Sequence, residues 1–287
     1  MKNKNIKLSL QNVSYTYGSG SPYEIKALDN ISLDIEAGKI TGIIGHTGSG
    51  KSTLLQLLNG LIKPDSGKIL LDGEDIWSKP KEITKIRYRV GLVMQYPEYQ
   101  LFEDTVRKDI AFGPTNMGCD KETIDKLVIE AAEFAGVDRE LLDKSPFDLS
   151  GGQKRRVAIA GIMAMTPEIL VLDEPAAGLD PRGKKLILDG ISEYQKKTDA
   201  AIIIVSHSME DMAYYCDDLV VMSNSHVVMQ GDRDSVFSQV SKLNQIGLAV
   251  PQITMLMSNI KELGFDINDG VYTVDQAFEE LMRIFNK

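Results

Sequence analysis

Two kinds of strand pattern occur along the chain. Apolar and polar residues alternate over residues 6–15 and 31–35, the period-2 pattern of half-buried antiparallel strands. Three short runs are instead continuously apolar, as in strands covered on both faces of a parallel sheet. These runs are residues 40–44, 169–172 and 201–205. The pattern predicts a β-rich opening piece followed by a parallel-sheet core.

Helical patterns connect the apolar runs. They cover residues 51–60, 181–197 and 207–215, and Pro181 suits the first turn of its helix. The resulting β-α-β order predicts an α/β fold with a doubly wound sheet and helices on both faces. Between about 97 and 166 the strand patterns disappear and helical stretches dominate, including 121–135 and 150–165. We interpret this part as a helical subdomain inserted into the core.

The end of the chain, from about residue 231 to residue 287, predicts a small and mostly helical extension. A capping-box pattern at residues 273–276 precedes the second of two apolar stripes at helical spacing. The first stripe is Ile253, Leu256, Met257, Ile260 and Leu263; the second is Ala277, Phe278, Leu281, Met282 and Phe285.

Composition narrows the class of protein. The 287 residues suit one large domain with an appendage, and 43% hydrophobic and 25% charged residues are usual for a globular chain. No stretch approaches the ~18 apolar residues of a membrane span, and no secretion signal is recognisable, so we expect a cytoplasmic location. Cys119 and Cys216 lack metal-site or redox spacing. A net charge of -9 disfavours nucleic acid and anionic lipid as partners, so membrane attachment would need a protein partner.

A glycine-rich loop after the first apolar run carries the clearest chemistry. It follows a predicted strand and opens a helix, so that its backbone N–H groups point at anionic oxygens. Lys51 would reach the β- and γ-phosphates of a nucleotide, and the Ser52 hydroxyl would bind Mg²⁺. His46 is a variable position of such loops, for which a solvent-facing role is the alternative. The loop consists of Gly45, His46, Thr47, Gly48, Ser49, Gly50, Lys51, Ser52 and Thr53.

Two acids follow the second apolar run. Asp173 would lie at the end of its strand beside the loop, where its carboxylate can hold Mg²⁺ directly or through water. Glu174 is one residue further and is our candidate general base for the water that attacks the γ-phosphate.

A second anion-binding pattern opens the predicted helix at 150. Leu149, Ser150, Gly151, Gly152 and Gln153 place small residues and a serine at a helix N-terminus. Two phosphate-binding patterns in a chain with one nucleotide pocket suggest that each pocket is shared between two molecules.

These motifs, in this order over about residues 6 to 230, resemble those of ABC ATPases. The glycine-rich loop is similar to their Walker A motif, 169–174 to Walker B and 149–153 to their signature. The resemblance extends to the D-loop at 177–180 with Asp180, to Gln95 as the Q-loop glutamine, to His207 as the switch histidine and to Tyr17, which would stack on adenine. It implies a P-loop ABC-type nucleotide-binding domain with an antiparallel β subdomain, an inserted α-helical subdomain and the C-terminal helical extension.

The resemblance also implies roles for these residues. Two ATPase subunits would pair head to tail, with Ser150, Gly151, Gly152 and Gln153 of one closing the ATP pocket of the other. His207 would contact the γ-phosphate, and Gln95 would contact Mg²⁺ and the attacking water. The D-loop departs from the usual pattern at Gly178, where alanine is more typical, and we expect looser contacts across the dimer there.

Residues 95–106, here called the docking segment, sharpen the resemblance. Together with residues 109–114 they are similar to ATPase subunits of energy-coupling factor transporters, the second of the two ATPase types in particular. The segment combines aromatic and apolar side chains with acids, which suits an amphipathic, basic helix end of a membrane partner. Its members with these properties are Tyr96, Glu98, Tyr99, Leu101, Phe102, Glu103 and Asp104. Packing between core and helical subdomain is the alternative for Tyr96 and Phe102.

This family likeness implies an ATP-driven importer. The chain would pair with a second, related ATPase subunit rather than with its own copy and bind a transmembrane coupling protein at the cytoplasmic face of the membrane. Separate membrane subunits would bind the vitamins or metal ions that are taken up. The C-terminal extension would help to hold the two ATPases together, although an appendage without a partner is an equal alternative.

The sequence is less consistent with two other functions. A soluble ABC ATPase of DNA repair would place a long coiled coil between Lys51 and Ser150, but no heptads occur there. Translation-type members carry two motif sets in one chain, whereas this chain carries one. A non-hydrolysing regulatory subunit would be expected to lose Glu174, His207 or Ser150, and all three are present.

Overall fold

A computed structural model describes residues 5–268 and 270–285 of the chain. Residues 1–4, 269, 286 and 287, which fall within the predicted ATPase domain and extension, lie outside the described residues. The strands are β1 (Ile6–Tyr17), β2 (Ile25–Glu36), β3 (Ile40–Gly45), β4 (Ser66–Leu71), β5 (Glu74–Asp75), β6 (Val90–Val93), β7 (Ile169–Asp173), β8 (Ala201–Val205), β9 (Asp218–Ser223) and β10 (His226–Asp232). The α-helices are α1 (Lys51–Leu58), α2 (Ile83–Arg89), α3 (Val106–Asn116), α4 (Lys121–Phe134), α5 (Gly151–Met163), α6 (Pro181–Thr198), α7 (Met209–Tyr215), α8 (Arg233–Phe237), α9 (Val240–Gln245), α10 (Gln252–Glu262) and α11 (Val274–Phe285).

The larger sheet has the strand order β10-β9-β3-β8-β7-β6. Neighbours from β9 to β6 run parallel, and β10 pairs antiparallel with β9 at the edge. The three continuously apolar runs are β3, β8 and β7, which lie side by side and are buried along their whole length. The predicted α/β core is thereby confirmed.

The two faces of this sheet have different covers. On β7, Leu170 and Leu172 point into the core beneath α5, α6 and α7, whereas Ile169 and Val171 point into the second core. That second core is closed by α1 together with the four-stranded antiparallel sheet, in the order β2-β1-β4-β5. Helices therefore lie on both faces, but on one of them a second sheet provides much of the cover, which the predicted helix–sheet–helix arrangement did not include.

The N-terminal alternation is confirmed as antiparallel pairing. β1 pairs with β2, and Leu10 lies opposite Leu33 in the register. Leu8 and Leu10 are buried. Their burial follows from the period of two, which puts every second side chain of β1 on the core face.

Between β6 and β7 the chain contains α-helices, 3-10 turns and loops but no strand. Helices α4 and α5 match the two predicted helical stretches, and α5 begins with a complete capping box formed by Ser150 and Gln153. The division into domains at these boundaries and at residue 230 stays a prediction.

The described part of the extension is helical, as predicted from its two apolar stripes. Thr273 and Gln276 form the predicted capping box, because the Gln276 N–H donates to Thr273 Oγ1 at 3.3 Å and the Thr273 N–H donates to Gln276 Oε1 at 3.2 Å. Met257 and Ala277 are buried in a small separate core between α10 and α11. Within residues 5–268 and 270–285, no helix is long and apolar enough to cross a bilayer.

Candidate functional site

The glycine-rich loop joins the end of β3 to the first turn of α1. Gly50 caps α1 with a φ of +100°, a value that side-chain-bearing residues rarely adopt. A Cβ at this position would collide with the carbonyl oxygen of Ala27 on β2. Glycine is therefore required here both by the backbone angle and by the close approach of β2.

Lys51 stabilises the loop from inside. Its Nζ donates to the carbonyl oxygens of Gly45 at 2.7 Å and His46 at 2.8 Å. Burial lowers the pKa of Lys51, while the charges of Glu174 and Asp173 oppose that change. The ammonium group thus lies beside both acids at the centre of the loop, ready to exchange carbonyl oxygens for phosphate oxygens.

The two acids after β7 occupy different positions relative to the loop. Ser52 Oγ donates to Asp173 Oδ2 at 2.9 Å, which joins the start of α1 to the end of β7. Glu174 has a φ of +52°, and its N–H donates to the Val205 carbonyl oxygen at the end of β8 at 3.0 Å. Its Oε1 atom is buried and accepts no hydrogen bond.

The environment of Glu174 favours its neutral form. Burial and the neighbouring Asp173 charge raise its pKa to about 7, although Lys51 opposes the shift. A carboxyl group with a pKa near neutrality is well placed to take up a proton during catalysis. Nε2 of His207, a largely exposed side chain, lies 3.5 Å from Glu174 Oε1.

These residues line one open cleft of about 350 Å³. It collects most of the side chains that the motifs marked for phosphate, metal and adenine binding. From that set the lining includes Tyr17, Thr47, Gly48, Gly50, Lys51, Ser52, Thr53, Gln95, Asp173, Glu174 and His207. Tyr17 lies at the rim, where its hydroxyl is 3.3 Å from Thr53 Oγ1.

Four further lining residues were not predicted as part of the site: Val205 at the end of β8, and Ile25, Lys26 and Ala27. Ile25, Lys26 and Ala27 are the first residues of β2, which lies against the loop at Gly50. Their contribution to the cleft depends on how the antiparallel sheet lies over β3, and no motif marks such a contact.

The donor set at Ser52 and Asp173 fits Mg²⁺. Mg²⁺ prefers one or two protein oxygens completed by water and phosphate oxygens, rather than a cage made by the protein alone. Among the described residues no group of three or more His, Cys, Asp or Glu side chains could hold a metal ion. The Ser52 hydroxyl and the Asp173 carboxylate, 2.9 Å apart beside a phosphate loop, provide such a small set of protein oxygens, which water and phosphate oxygens would complete.

His46 is not among the residues that line the cleft. Its side chain turns away from the cleft, and Nε2 donates to the carbonyl oxygen of Ile246 in the C-terminal extension. The ring also lies against Gly247. The side chain is exposed, in keeping with the solvent-facing alternative, and it joins the loop to the extension; its role in binding the nucleotide stays a prediction. Two other loop residues, Gly45 and Ser49, are buried and are also not among the residues that line the cleft.

The signature residues lie outside the cleft of their own chain, and so does Asp180. Ser150 Oγ accepts from the Gln153 N–H at 3.4 Å, and Gln153 Oε1 accepts from the Ser150 N–H at 2.9 Å, so both cap α5. A Cβ on Gly151 would meet open space, and one on Gly152 would approach Leu179. Asp180 caps α6 by accepting from the Gly183 N–H at 2.9 Å. This arrangement leaves the start of α5 free on its outer side.

The departure of the D-loop from its usual sequence has a backbone cause. Gly178 has a φ of +73°, in the left-handed region that favours glycine over alanine. Nothing surrounds its Cβ position within 4 Å, so space does not explain the choice.

The docking segment presents aromatic side chains to solvent. Tyr96 and Phe102 are about half exposed and Tyr99 is 85% exposed, which counts against simple core packing. Beside them lies an apolar groove of about 380 Å³, lined among others by Leu101, Phe102 and Phe112.

The acids of the docking segment are partly used inside the molecule. Glu98 forms a two-pronged ion pair with Arg155 of α5, with N–O distances of 3.0 and 2.6 Å. Burial would raise the pKa of Glu98, but the hydrogen bonds from Arg155 and the backbone hold it below its ordinary value. Asp104 pairs with Lys108 at 2.7 Å. Packing therefore does explain Glu98, contrary to the expectation that the acids as a group face a partner.

The sequence of this chain is similar to those of known transporter proteins. The family model described as ABC transporter matches residues 28–177, slightly more than half of the chain. The energy-coupling factor transporter ATP-binding protein EcfA2 of Clostridium acetobutylicum is 51% identical, over 97% of this chain and 98% of its own. The EcfA2 protein of Caldanaerobacter subterraneus subsp. tengcongensis is 52% identical over 97% of both chains. The chain belongs to the ABC transporter ATPase family.

Solved structures agree with this assignment. The ABC ATPase is similar to cbiO1 from Clostridium perfringens, described as part of the ABC transporter complex cbiONQ, with 40% identity and a TM-score of 0.75 over 89% of this chain and 100% of that one. The ATP-binding cassette MJ0796, solved as a dimer in a post-hydrolysis state with ADP and Pi, is 28% identical with a TM-score of 0.71 over 78% and 98%. These likenesses confirm the predicted P-loop ABC fold and the resemblance to energy-coupling factor ATPases. This ABC ATPase binds and hydrolyses ATP as a transporter subunit, which favours transport over DNA repair or translation.

Proposed function

We propose that this ABC ATPase powers an importer of the energy-coupling factor type for vitamins or metal ions. It pairs with a second, related ATPase subunit and docks on a transmembrane coupling protein at the cytoplasmic face of the membrane, while separate membrane subunits capture the substrate. The names of the relatives support the transporter type, and the description of cbiO1 supports a complex of several subunits.

The observation that carries the proposal is the place of the docking segment. Gln95 at its start lines the nucleotide cleft, and four residues later Tyr99 is 85% exposed beside the apolar groove. A membrane partner bound at this surface would touch the same short segment that contacts the nucleotide. Exposed aromatic side chains next to a groove are typical of protein interfaces.

In the cleft, Glu174 takes a proton from the attacking water, and Lys51 holds the β- and γ-phosphates. His207 lies beside Glu174 and would contact the γ-phosphate. Ser52, Asp173 and Gln95 would hold Mg²⁺, which when bound neutralises phosphate charge. Tyr17 at the rim would stack on adenine.

The cleft is half of a complete site in this proposal. Ser150, Gly151, Gly152 and Gln153 lie away from the cleft of their own chain, at a helix N-terminus suited to phosphate. Their free outer side would close the pocket of the second ATPase, with Asp180 nearby at the same interface. The dimeric state of the MJ0796 structure supports this pairing.

Purification of the tagged chain from its native membrane in mild detergent tests the proposal. Mass spectrometry should identify a related ATPase and at least one membrane protein in stoichiometric amounts. Recovery of the chain without a membrane protein would contradict the transporter assembly.

A matched pair of variants locates the docking surface. Tyr99→Asp should remove the membrane protein from the purified complex, because it puts a charge into the proposed interface. Tyr23→Asp is the control, since Tyr23 is equally exposed at 85% but lies outside the docking segment. Equal loss in both variants, or in neither, would place the membrane partner elsewhere.

A further inference from the structure

One charged side chain of the helical region is almost completely buried. Arg155 lies in the second turn of α5, five residues after Ser150, and is 4% exposed. A buried guanidinium group is costly unless all of its partners are well placed. The partners of Arg155 come from two other parts of the chain, so that the side chain joins three segments.

The first partner is Glu98 of the docking segment. Arg155 Nε donates to Glu98 Oε2 at 3.0 Å, and Nη2 donates to Oε1 at 2.6 Å. The guanidinium carbon also lies 5.8 Å from the ring centre of Tyr96, within range of a cation–π contact. Both contacts hold the docking segment against α5.

The second partner is the D-loop. Arg155 Nη1 donates to the carbonyl oxygen of Ala177, three residues after Glu174. On the same side, Leu179 lies close to Gly152 of α5. The start of α5 and the D-loop therefore share contacts that a displacement of either would disturb.

The shape of arginine explains why this residue can serve all three segments. Its planar group offers one edge to a carboxylate and keeps a further N–H for a carbonyl oxygen at a fixed angle. Lysine would carry the same charge but could not keep both edges occupied in fixed directions. Such a connection resists independent movement of the joined segments.

From these contacts we infer that Arg155 is a positioning residue that couples the docking segment to the signature end of α5 and to the D-loop. The inference rests on the proposed function, in which the docking segment binds the membrane partner. Movement of Glu98 by that partner would be transmitted through Arg155 to Ser150, Gly152 and the backbone after Glu174. The signal from the membrane would thereby reach the two parts of the ATP site that a second subunit shares.

The test compares ATP hydrolysis by the purified ATPase pair with hydrolysis by the same pair bound to its membrane partner. In the wild type the rate should change when the partner is bound. Arg155→Gln should remove most of this response, while the KM for ATP stays within about twofold, because the phosphate loop and Tyr17 are untouched. The maximal rate should also fall by about tenfold or more, since small displacements of catalytic groups are costly.

Further variants separate coupling from folding. Arg155→Lys keeps the charge and should recover only part of the response, and Glu98→Gln breaks the same pair from the other side. The double variant Arg155→Gln/Glu98→Gln should be no more impaired in its response than Arg155→Gln alone, because that single change already removes the contact with Glu98. These variants keep the test decisive if Arg155→Gln alone does not fold, which thermal unfolding would reveal.

Arg89→Gln is the matched control. Arg89 makes the same kind of two-pronged pair with Glu168, at 2.6 and 2.8 Å, but lies away from the docking segment and the D-loop. In the Arg89→Gln variant, the change in hydrolysis rate on binding the membrane partner should equal that of the wild type. A normal response in both Arg155→Gln and Glu98→Gln would overturn the inference, as would a wild-type pair that does not respond. Failure to recover any membrane partner would instead overturn the proposed function.

Discussion

Glu174 is unusual as a residue in two ways. It adopts a left-handed backbone angle, φ +52°, which costs about 1–3 kcal/mol for a residue other than glycine. It also holds a buried carboxylate oxygen with no hydrogen-bond donor. Strain and an unsatisfied oxygen at one residue, beside Lys51 and His207, indicate a side chain kept for chemistry rather than for stability.

Replacing Glu174 by Gln tests this role. The variant cannot take a proton from water, so kcat for ATP hydrolysis should fall by roughly 10² to 10⁴. Binding of a fluorescent ATP analogue should persist, because Lys51 and the phosphate loop are intact. The measurement is steady-state hydrolysis by the purified complex with the corresponding change in both ATPase subunits.

Glu193→Gln is the control for this variant, since Glu193 forms an ion pair with Lys197 on the outer side of α6. It should hydrolyse ATP at the wild-type rate. If the Glu174→Gln complex also hydrolysed ATP at the wild-type rate, Glu174 would not be the general base.

Residues in motifs were predictable because their chemistry depends on local spacing. Lys51, Ser52, Asp173 and Glu174 follow strands whose ends meet at one edge of the sheet, so order along the chain was enough to bring them together. Contacts that join distant segments were missed. His46 meets Ile246 across 200 positions, and nothing in either sequence context signals the other.

At the scale of elements, a group of ion pairs joins β1, α2 and Glu168, the residue that precedes β7. Glu168 accepts from Arg89 and also pairs with Lys7 at 2.5 Å. Asp72, next to β4, completes the group by pairing with Lys7 at 2.9 Å. Hydrogen bonds from Arg89, reinforced by Lys7 and opposed by burial, lower the pKa of Glu168 from 4.5 to about 2.

This group predicts a pH-dependent contribution to folding. Because the folded pKa of Glu168 is depressed, the contribution is fully present above the unfolded value of 4.5 and disappears as the pH falls toward about 2. At neutral pH, Glu168→Gln should lower the free energy of unfolding by about 1 kcal/mol or less, since more than a third of the side chain is exposed and screened.

Urea titrations of wild type and Glu168→Gln at a series of pH values provide the measurement. The difference in unfolding free energy should shrink on acidification below pH 4.5, down to the lowest pH at which both proteins fold. A difference that stays constant or grows would show that the carboxylate is not stabilised in the folded state.

Elements were predictable where one face or both faces are buried. β3, β7 and β8 are covered on both sides and were marked by unbroken apolar runs. The edge strand β10 was not predicted, because its side chains are only partly buried or exposed and its pairing depends on β9 rather than on its own pattern. The second sheet was predicted from alternation, but its place over the parallel sheet is a tertiary feature that no local pattern encodes.

At the scale of the whole molecule, the extension presents an apolar face. Val274, Phe278 and Met282 recur every four residues on the outer side of α11, and Phe278 is 64% exposed. An adjacent side of the helix is already packed through Ala277 against α10. Exposed apolar residues at this spacing are typical of a helix that binds a partner.

We therefore expect Phe278→Asp to weaken the pairing of the two ATPase subunits. Analytical ultracentrifugation of the copurified pair should give a dissociation constant raised by about tenfold or more, as for an interface residue that contributes substantially to binding. Glu279→Ala, a change at an exposed polar neighbour, should leave the constant unchanged. Unaltered pairing in Phe278→Asp would make the extension an appendage without this role.

The central claim is that hydrolysis at the cleft of Lys51 and Glu174 drives uptake through a membrane partner. The copurified complex in proteoliposomes, with ATP on the side of the ATPases, tests it with radiolabelled vitamins and divalent cations supplied one at a time. We predict ATP-dependent uptake of at least one of them, and its loss when this subunit carries Lys51→Ala. Equal uptake without ATP or with Lys51→Ala, or hydrolysis without uptake of any of them, would contradict the account.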